Sequence, residues 1–179
     1  MMVTGDDIAS AAIHSGLLGT PYSKMDCQAF VEKVLHLAGL AIRDYRGSNH
    51  MWRDLVVDRT PVKGASYIYP GSLAFIVRQD GGEVKRGYHD DMGNATHVAI
   101  CLGDGRVMES SAGGVQYGNV SRFTYTALIK GVNYDEEGMG SPGASERPTD
   151  KQRLLNLLAI MKDNLSEMEN AIYDIYGNP

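Results

Sequence analysis

A thiol, an imidazole and a carboxylate suffice for nucleophilic acyl transfer, and this chain offers one of each at positions that rigid elements would hold. Of its two cysteines, Cys27 follows Asp26, a natural N-cap, and so falls in the first turn of a helix. Unpaired backbone N–H groups at a helix start stabilise a thiolate, the reactive form of the side chain. The charge of Asp26 would oppose that ionisation if it faced the sulfur, so the reading requires its carboxylate to turn toward the helix amides or the substrate. Position alone leaves a second reading open, a small buried apolar residue, which is what most free cysteines are. Cys101, in the middle of an apolar strand, fits that second description.

A cysteine nucleophile needs a base, and the chain has His14, His36, His50, His89 and His97. His14 and His36 belong to helix surfaces, while His50 and His89 lie in polar, loop-like stretches. His89 with Asp90 and Asp91 has the composition of a metal cluster, but adjacent residues point in different directions and no partner motif accompanies them, so no metal is expected. His97 opens an alternating strand in which His97, Ala99 and Cys101 share one face. The third requirement is a group that orients the imidazole. Glu109 qualifies, because a turn centred on Asp104 brings residues 97 and 109 onto the same two strands. An ordinary exposed strand carboxylate is the alternative for Glu109.

The elements that would position these groups follow from the patterning. Thr4 with Asp7 resembles a capping box ahead of a short helix carrying Ile8, Ala11, Ala12 and Ile13. The Cys27 helix runs to about Ala38, with Gly39 as its stop, a broad apolar face of Phe30, Val31, Val34, Leu35, Leu37 and Ala38, and a polar face of Gln28, Glu32 and His36. Patterning weakens from Arg43 to Pro70, although Ser48 is read as the cap of a short helical turn carrying Met51 and Trp52. Strands are expected at Ser72–Arg78, at Thr96–Leu102, at Arg106–Ser111 after a Gly-Asp-Gly turn, and at Tyr125–Tyr134. Helices first and antiparallel strands afterwards make an α+β fold.

Composition narrows the function. The 179 residues include 17 Lys and Arg against 22 Asp and Glu, a formal charge of -5, and contain no basic run. A nucleic-acid partner is therefore not expected, since phosphate binding needs concentrated positive charge. No stretch approaches the length that spans a bilayer, so no membrane partner is expected either. The first ten residues lack the basic start and apolar run of a secretory signal, and the chain is read as synthesised in the cytoplasm.

Residues 1–134 are read as a catalytic domain and residues 135–150, rich in Gly, Pro, Ser and acid, as a linker. Beyond it, Leu154, Leu158, Met161, Leu165, Met168, Ile172 and Ile175 alternate at steps of four and three, within a helix expected over 151–179. Such a seam over 151–176 is either an amphipathic helix packed on its own domain or a short coiled coil that makes a homo-oligomer; the coiled coil is preferred.

Taken together, these segments resemble the NlpC-type cell-wall peptidases, papain-like cysteine enzymes of bacteria and their phages. "GTPYSKMDCQAFV" resembles the family's segment in which a tyrosine precedes Asp-Cys and an apolar helix. Arg46–Ser48 is similar to its Arg-Thr-Ser, "YPGSLAFI" to its Pro-Gly-Asp-Leu strand, and "HVAICLGDGRVMESS" to its His-Val-Gly-Ile hairpin. The similarity covers roughly residues 10–130. It implies a papain-like fold, Cys27 as nucleophile, His97 as base and then acid, Glu109 as orienter, and Tyr22 and Asp26 along the substrate groove. Gln28 and Ala29 stand where the family has Ser-Gly, so Gln28 is expected to meet the substrate in a pocket unlike that of relatives.

The resemblance further implies bacterial peptidoglycan as substrate, cleavage between D-Glu and the diamino acid of the stem peptide, and no cofactor. Two alternatives stand beside it: an amidase cutting between sugar and peptide, and a non-catalytic wall-associated structural protein. Action at the cell wall without a signal would require another route, such as phage-mediated release of an endolysin.

Overall fold

The computed structural model describes residues 2–65, 67–79, 88 and 90–134. The linker and C-terminal helix expected at 135–179, His89, and most of the polar stretch after Arg78 lie outside the described residues. Three helices, α1 (Gly5–Ile13), α2 (Cys27–Leu37) and α3 (Ser48–Asp54), precede or flank six strands: β1 (Val56–Pro61), β2 (Leu73–Arg78), β3 (Asn94–Cys101), β4 (Arg106–Ser111), β5 (Gly114–Asn119) and β6 (Tyr125–Ile129). The strands form one sheet in the order β1-β6-β2-β3-β4-β5 with every neighbour antiparallel. The expected α+β class is borne out.

Each helix starts as its sequence dictates, with one exception. Thr4 and Asp7 close a reciprocal capping box at α1. The Asp26 carboxylate accepts the Ala29 N–H at 2.8 Å and so caps α2. Ser48, expected to cap α3, is instead the first residue of that helix, with Gly47 at the N-cap and no side-chain cap. Its hydroxyl is committed elsewhere, donating 3.0 Å to the Ala95 carbonyl of β3.

The helices cover one face of the sheet. Phe30, Val31, Val34 and Leu35 of α2 are fully buried against Leu73, Phe75, Val98, Ile100 and Met108. Burial of side chains this size stabilises the fold by roughly 1.5–3 kcal/mol each. On the opposite face a smaller cluster gathers Ala74, Ala99, Cys101, Val107, Val120 and Phe123. Cys101 is wholly enclosed there, and burial pushes its thiol up to about 12, which makes it a packing residue.

Strand β3 is irregular where it matters. Ile76 and Val77 of β2 pair with His97 and Ala95, so Thr96 is an extra residue on β3, a bulge immediately before His97. A buried amide pair fixes this region to α3. Asn49 donates to the Asn94 Oδ1 at 2.8 Å, while its own Oδ1 accepts from the Ala95 N–H at 3.1 Å and from Arg53 at 2.7 Å.

Two strands, β1 and β5, fall outside the sequence expectation, and the other strands shift by a few residues at their ends. β1 was masked by its polar composition: Val57, Asp58 and Thr60 are all exposed, so it has no alternating apolar signal. Asn49→Ala leaves the Ala95 N–H, the Arg53 guanidinium and the Asn94 amide short of a partner, and is expected to cost about 1–3 kcal/mol. Urea unfolding checks this, and an unchanged midpoint would contradict the anchoring role.

Candidate active site

The α2 N-terminus is held over the sheet by its preceding loop. β5 is an edge strand, and its Val115 exchanges backbone hydrogen bonds with that loop, donating to the Thr20 carbonyl at 2.9 Å and accepting from the Gly19 N–H at 2.8 Å. The approach is so close that a Cβ on Gly114 would sit 2.6 Å from the Thr20 carbonyl oxygen, and Gly114 has φ +89°. Next along the chain, the Ser110 hydroxyl of β4 donates to the Met25 carbonyl, two residues before Cys27. Two strands thus grip the segment that delivers Cys27.

Cys27 is the first residue of α2 and is 8% exposed. Because the Asp26 carboxylate faces the Ala29 amide, it is turned toward the helix backbone. Tyr22 is exposed and lies close enough to Cys27 and Asp26 to feel their charge. Partial burial, then the negative charges of Cys27 and Asp26, raise its pKa above the ordinary tyrosine value.

His97 lies on the sheet face opposite the main core, stacked on Phe123 with ring centroids 5.8 Å apart and planes 23° apart. Its Nε2 is 2.6 Å from Glu109 Oε2. A carboxylate only accepts, so Nε2 carries the proton, and Nδ1 is the ring nitrogen left for a second partner. Burial disfavours the imidazolium, yet hydrogen bonding and charge from Cys27 and Glu109 outweigh it and raise the His97 pKa to about 9. Glu109 has no exposed surface. The hydrogen bond from His97 comes first in holding its pKa below the ordinary value, against the opposing effect of burial, and Arg122 adds to it through a 2.9 Å contact with Oε1.

Cys27, His97, Glu109, Tyr22 and Asp26 therefore gather at one place. Gln28 is turned otherwise: its amide nitrogen donates to Glu32 Oε1 and to the Tyr45 carbonyl, while Glu32 also accepts the Tyr45 N–H. It braces the chain after α2. The other described histidines are accounted for: His14 and His36 are exposed at helix surfaces, and His50 pairs with Asp54 at 2.7 Å. Asp90 pairs with Arg53, and among the described residues no group of three or more His, Cys, Asp or Glu is placed to hold a metal ion.

Sequence reasoning missed Ser110, Gly118, Arg122 and Phe123. One signal was available. Ala112 and Gly113 form a two-residue turn between the paired Ser111 and Gly114, and reading it would have extended the hairpin into β5 and set Gln116 opposite Glu109.

No protein-family model and no curated protein matches the chain. Solved structures do match. An NlpC/p60 family protein from Bacillus cereus is 21% identical with a TM-score of 0.50, over 75% of this chain and 41% of that one. The NlpC/p60 domain of the peptidoglycan hydrolase SagA is 26% identical with a TM-score of 0.48, over 70% of this chain and 98% of that one. RipD from Mycobacterium tuberculosis, described as a non-catalytic NlpC/p60 domain protein adapted to peptidoglycan binding, is 18% identical with a TM-score of 0.44, over 70% of this chain and 94% of that one. With its helix-borne Cys27 laid on a six-stranded antiparallel sheet, the chain has the fold of the NlpC/p60 papain-like domains.

Proposed function

We propose that the chain is a cysteine endopeptidase of bacterial peptidoglycan, with Cys27 as nucleophile, His97 as general base and acid, and Glu109 as orienter, cutting the stem peptide between D-Glu and the diamino acid. The observation that carries this reading is the buried 2.6 Å contact between Glu109 and a histidine that Cys27, at a helix start, also acts on. A surface carboxylate and a structural thiol have no reason to meet through one imidazole.

The chemistry follows from that order. The Cys27 sulfur forms a bond to the stem-peptide carbonyl carbon, and the carbonyl electrons move to oxygen. Within the described residues, the Cys27 and Gln28 N–H groups have no hydrogen-bond partner, because Asp26 serves Ala29 and Phe30 instead. The Cys27 N–H is then a donor for the oxyanion, with the Tyr22 hydroxyl beside it. As the C–N bond breaks, the imidazolium gives its Nδ1 proton to the departing amine. Neutral His97 next takes a proton from water, whose oxygen attacks the thioester; the C–S bond breaks, and thiolate and imidazolium are restored. Glu109 keeps its charge throughout and fixes the tautomer.

Substrate identity rests on the resemblance of residues 10–130 to the NlpC-type peptidases and on the shared fold. Cys27→Ala is expected to lower release of wall fragments by roughly 10⁴-fold or more. Mass spectrometry of digested peptidoglycan reads both rate and bond. Undiminished release by Cys27→Ala would sink the proposal, and intact stem peptides freed from the sugar would replace the endopeptidase by an amidase.

The charged pair sets the pH window. Imidazolium is kept up to a pKa of about 9, so activity is expected to fall on the alkaline side near that value. Folding follows the same sign: the contribution of His97 is full below its ordinary 6.5 and is lost as pH rises through about 9. Glu109 contributes above its ordinary 4.5 and ceases to do so as pH falls through its lowered value. Glu109→Gln removes the counter-charge and is expected to move the alkaline limb down by about 1–3 units. A limb that stays in place would show that Glu109 does not govern the imidazole.

A further inference from the structure

Glu109 is a carboxylate without exposed surface, and only one of its oxygens is used by His97. A buried charge left half paired is costly, and the chain supplies the remainder from one short segment after β5. Gly118 makes the room: a Cβ there would sit 2.6 Å from Glu109 Oε1. The Asn119 side chain accepts the Ser121 N–H at 2.9 Å and starts a 3-10 turn, Val120–Arg122, whose first N–H donates to the Gly105 carbonyl at 3.0 Å. That turn brings Arg122 Nη1 to 2.9 Å from Glu109 Oε1, and the next residue, Phe123, is the platform under the His97 ring.

We propose that Arg122 is a positioning residue of this site, its guanidinium holding the Glu109 carboxylate ionised and aimed at His97 Nε2. The proposal rests on the reading of Cys27, His97 and Glu109 as a hydrolytic site. Beyond Cys27 the groups form a row of alternating charge: His97 imidazolium, Glu109 carboxylate, Arg122 guanidinium. The charged groups that act on Glu109 are His97 from β3 and Arg122 from the 3-10 turn. β5 faces it with uncharged Gly118 and Gln116, the latter its partner in the strand register. On the far side of His97 stand Cys27, Tyr22 and Asp26.

Removing Arg122 therefore leaves Oε1 buried without a cation. Protonation of Glu109 becomes easier, and a neutral acid no longer enforces the Nε2–H tautomer. Activity is lost first on the acid side. The Arg122 side chain is 56% exposed and belongs to neither hydrophobic cluster.

The test is the carboxyl ¹³C titration of Glu109 in the full chain, assigned with Glu109→Gln, in wild type, Arg122→Ala and Arg122→Lys. The expected result is a midpoint about 1 pH unit or more higher in Arg122→Ala and restored toward wild type in Arg122→Lys. The acid limb of the pH–rate profile is expected to move with it. An unchanged Glu109 midpoint in Arg122→Ala overturns the proposal, as does an Arg122→Lys variant that behaves like Arg122→Ala. The titration needs no turnover, so it decides on Arg122 even if the wild-type protein leaves peptidoglycan intact, the result that would defeat the hydrolytic reading itself.

Discussion

A carboxylate with no exposed surface sits at the centre of the candidate site, and much of the local architecture answers the cost of keeping it charged. Glu109 spends one oxygen on His97 at 2.6 Å and the other on Arg122 at 2.9 Å. Taking a charged group out of water costs several kcal/mol unless it is paired and hydrogen-bonded. Both partners come from strands or turns that neighbour β4, so the sheet itself supplies the compensation. His97 benefits in return, because the buried negative charge sustains an imidazolium that its own burial would suppress.

Cys27 is delivered by a different device. α2 begins at Cys27 because Asp26 caps it, its carboxylate accepting the Ala29 N–H. Apolar burial of Phe30, Val31, Val34 and Leu35 fixes the helix on one face of the sheet. The loop before it is pinned from below by Val115 and Ser110. His97 arises from the opposite face, next to the bulge at Thr96. Helix start and strand start are therefore set independently, and the site exists where they converge.

Local signals carried part of this in the sequence. The Thr4 and Asp26 caps, the apolar stripe of α2 and the alternation through His97, Ala99 and Cys101 each act over a few residues and are legible in the chain. Glu109 was reachable too, since the Gly-Asp-Gly turn fixes the β3–β4 hairpin. Its total burial was not, because burial comes from β5, Gly118 and the 3-10 turn, which close over it from a strand with little apolar signal. Arg122 stayed hidden for the same reason: thirteen positions from Glu109, it is brought near only by a second hairpin. Gln28 reads as a groove residue from its place beside Cys27, yet an i,i+4 contact with Glu32 and the Tyr45 carbonyl claims its amide nitrogen. Ser48 has the composition of a cap, but a buried β3 carbonyl takes its hydroxyl.

The central claim is that Cys27 is a nucleophile inside a stem-peptide site, and a stem peptide carrying a chloromethyl ketone in place of the scissile amide addresses it directly. Intact-protein mass spectrometry followed by peptide mapping should find one adduct, on Cys27 and not on Cys101, formed more slowly when excess natural stem peptide is present. A protein that stays unlabelled, or one labelled at a rate the natural peptide does not affect, would contradict the account.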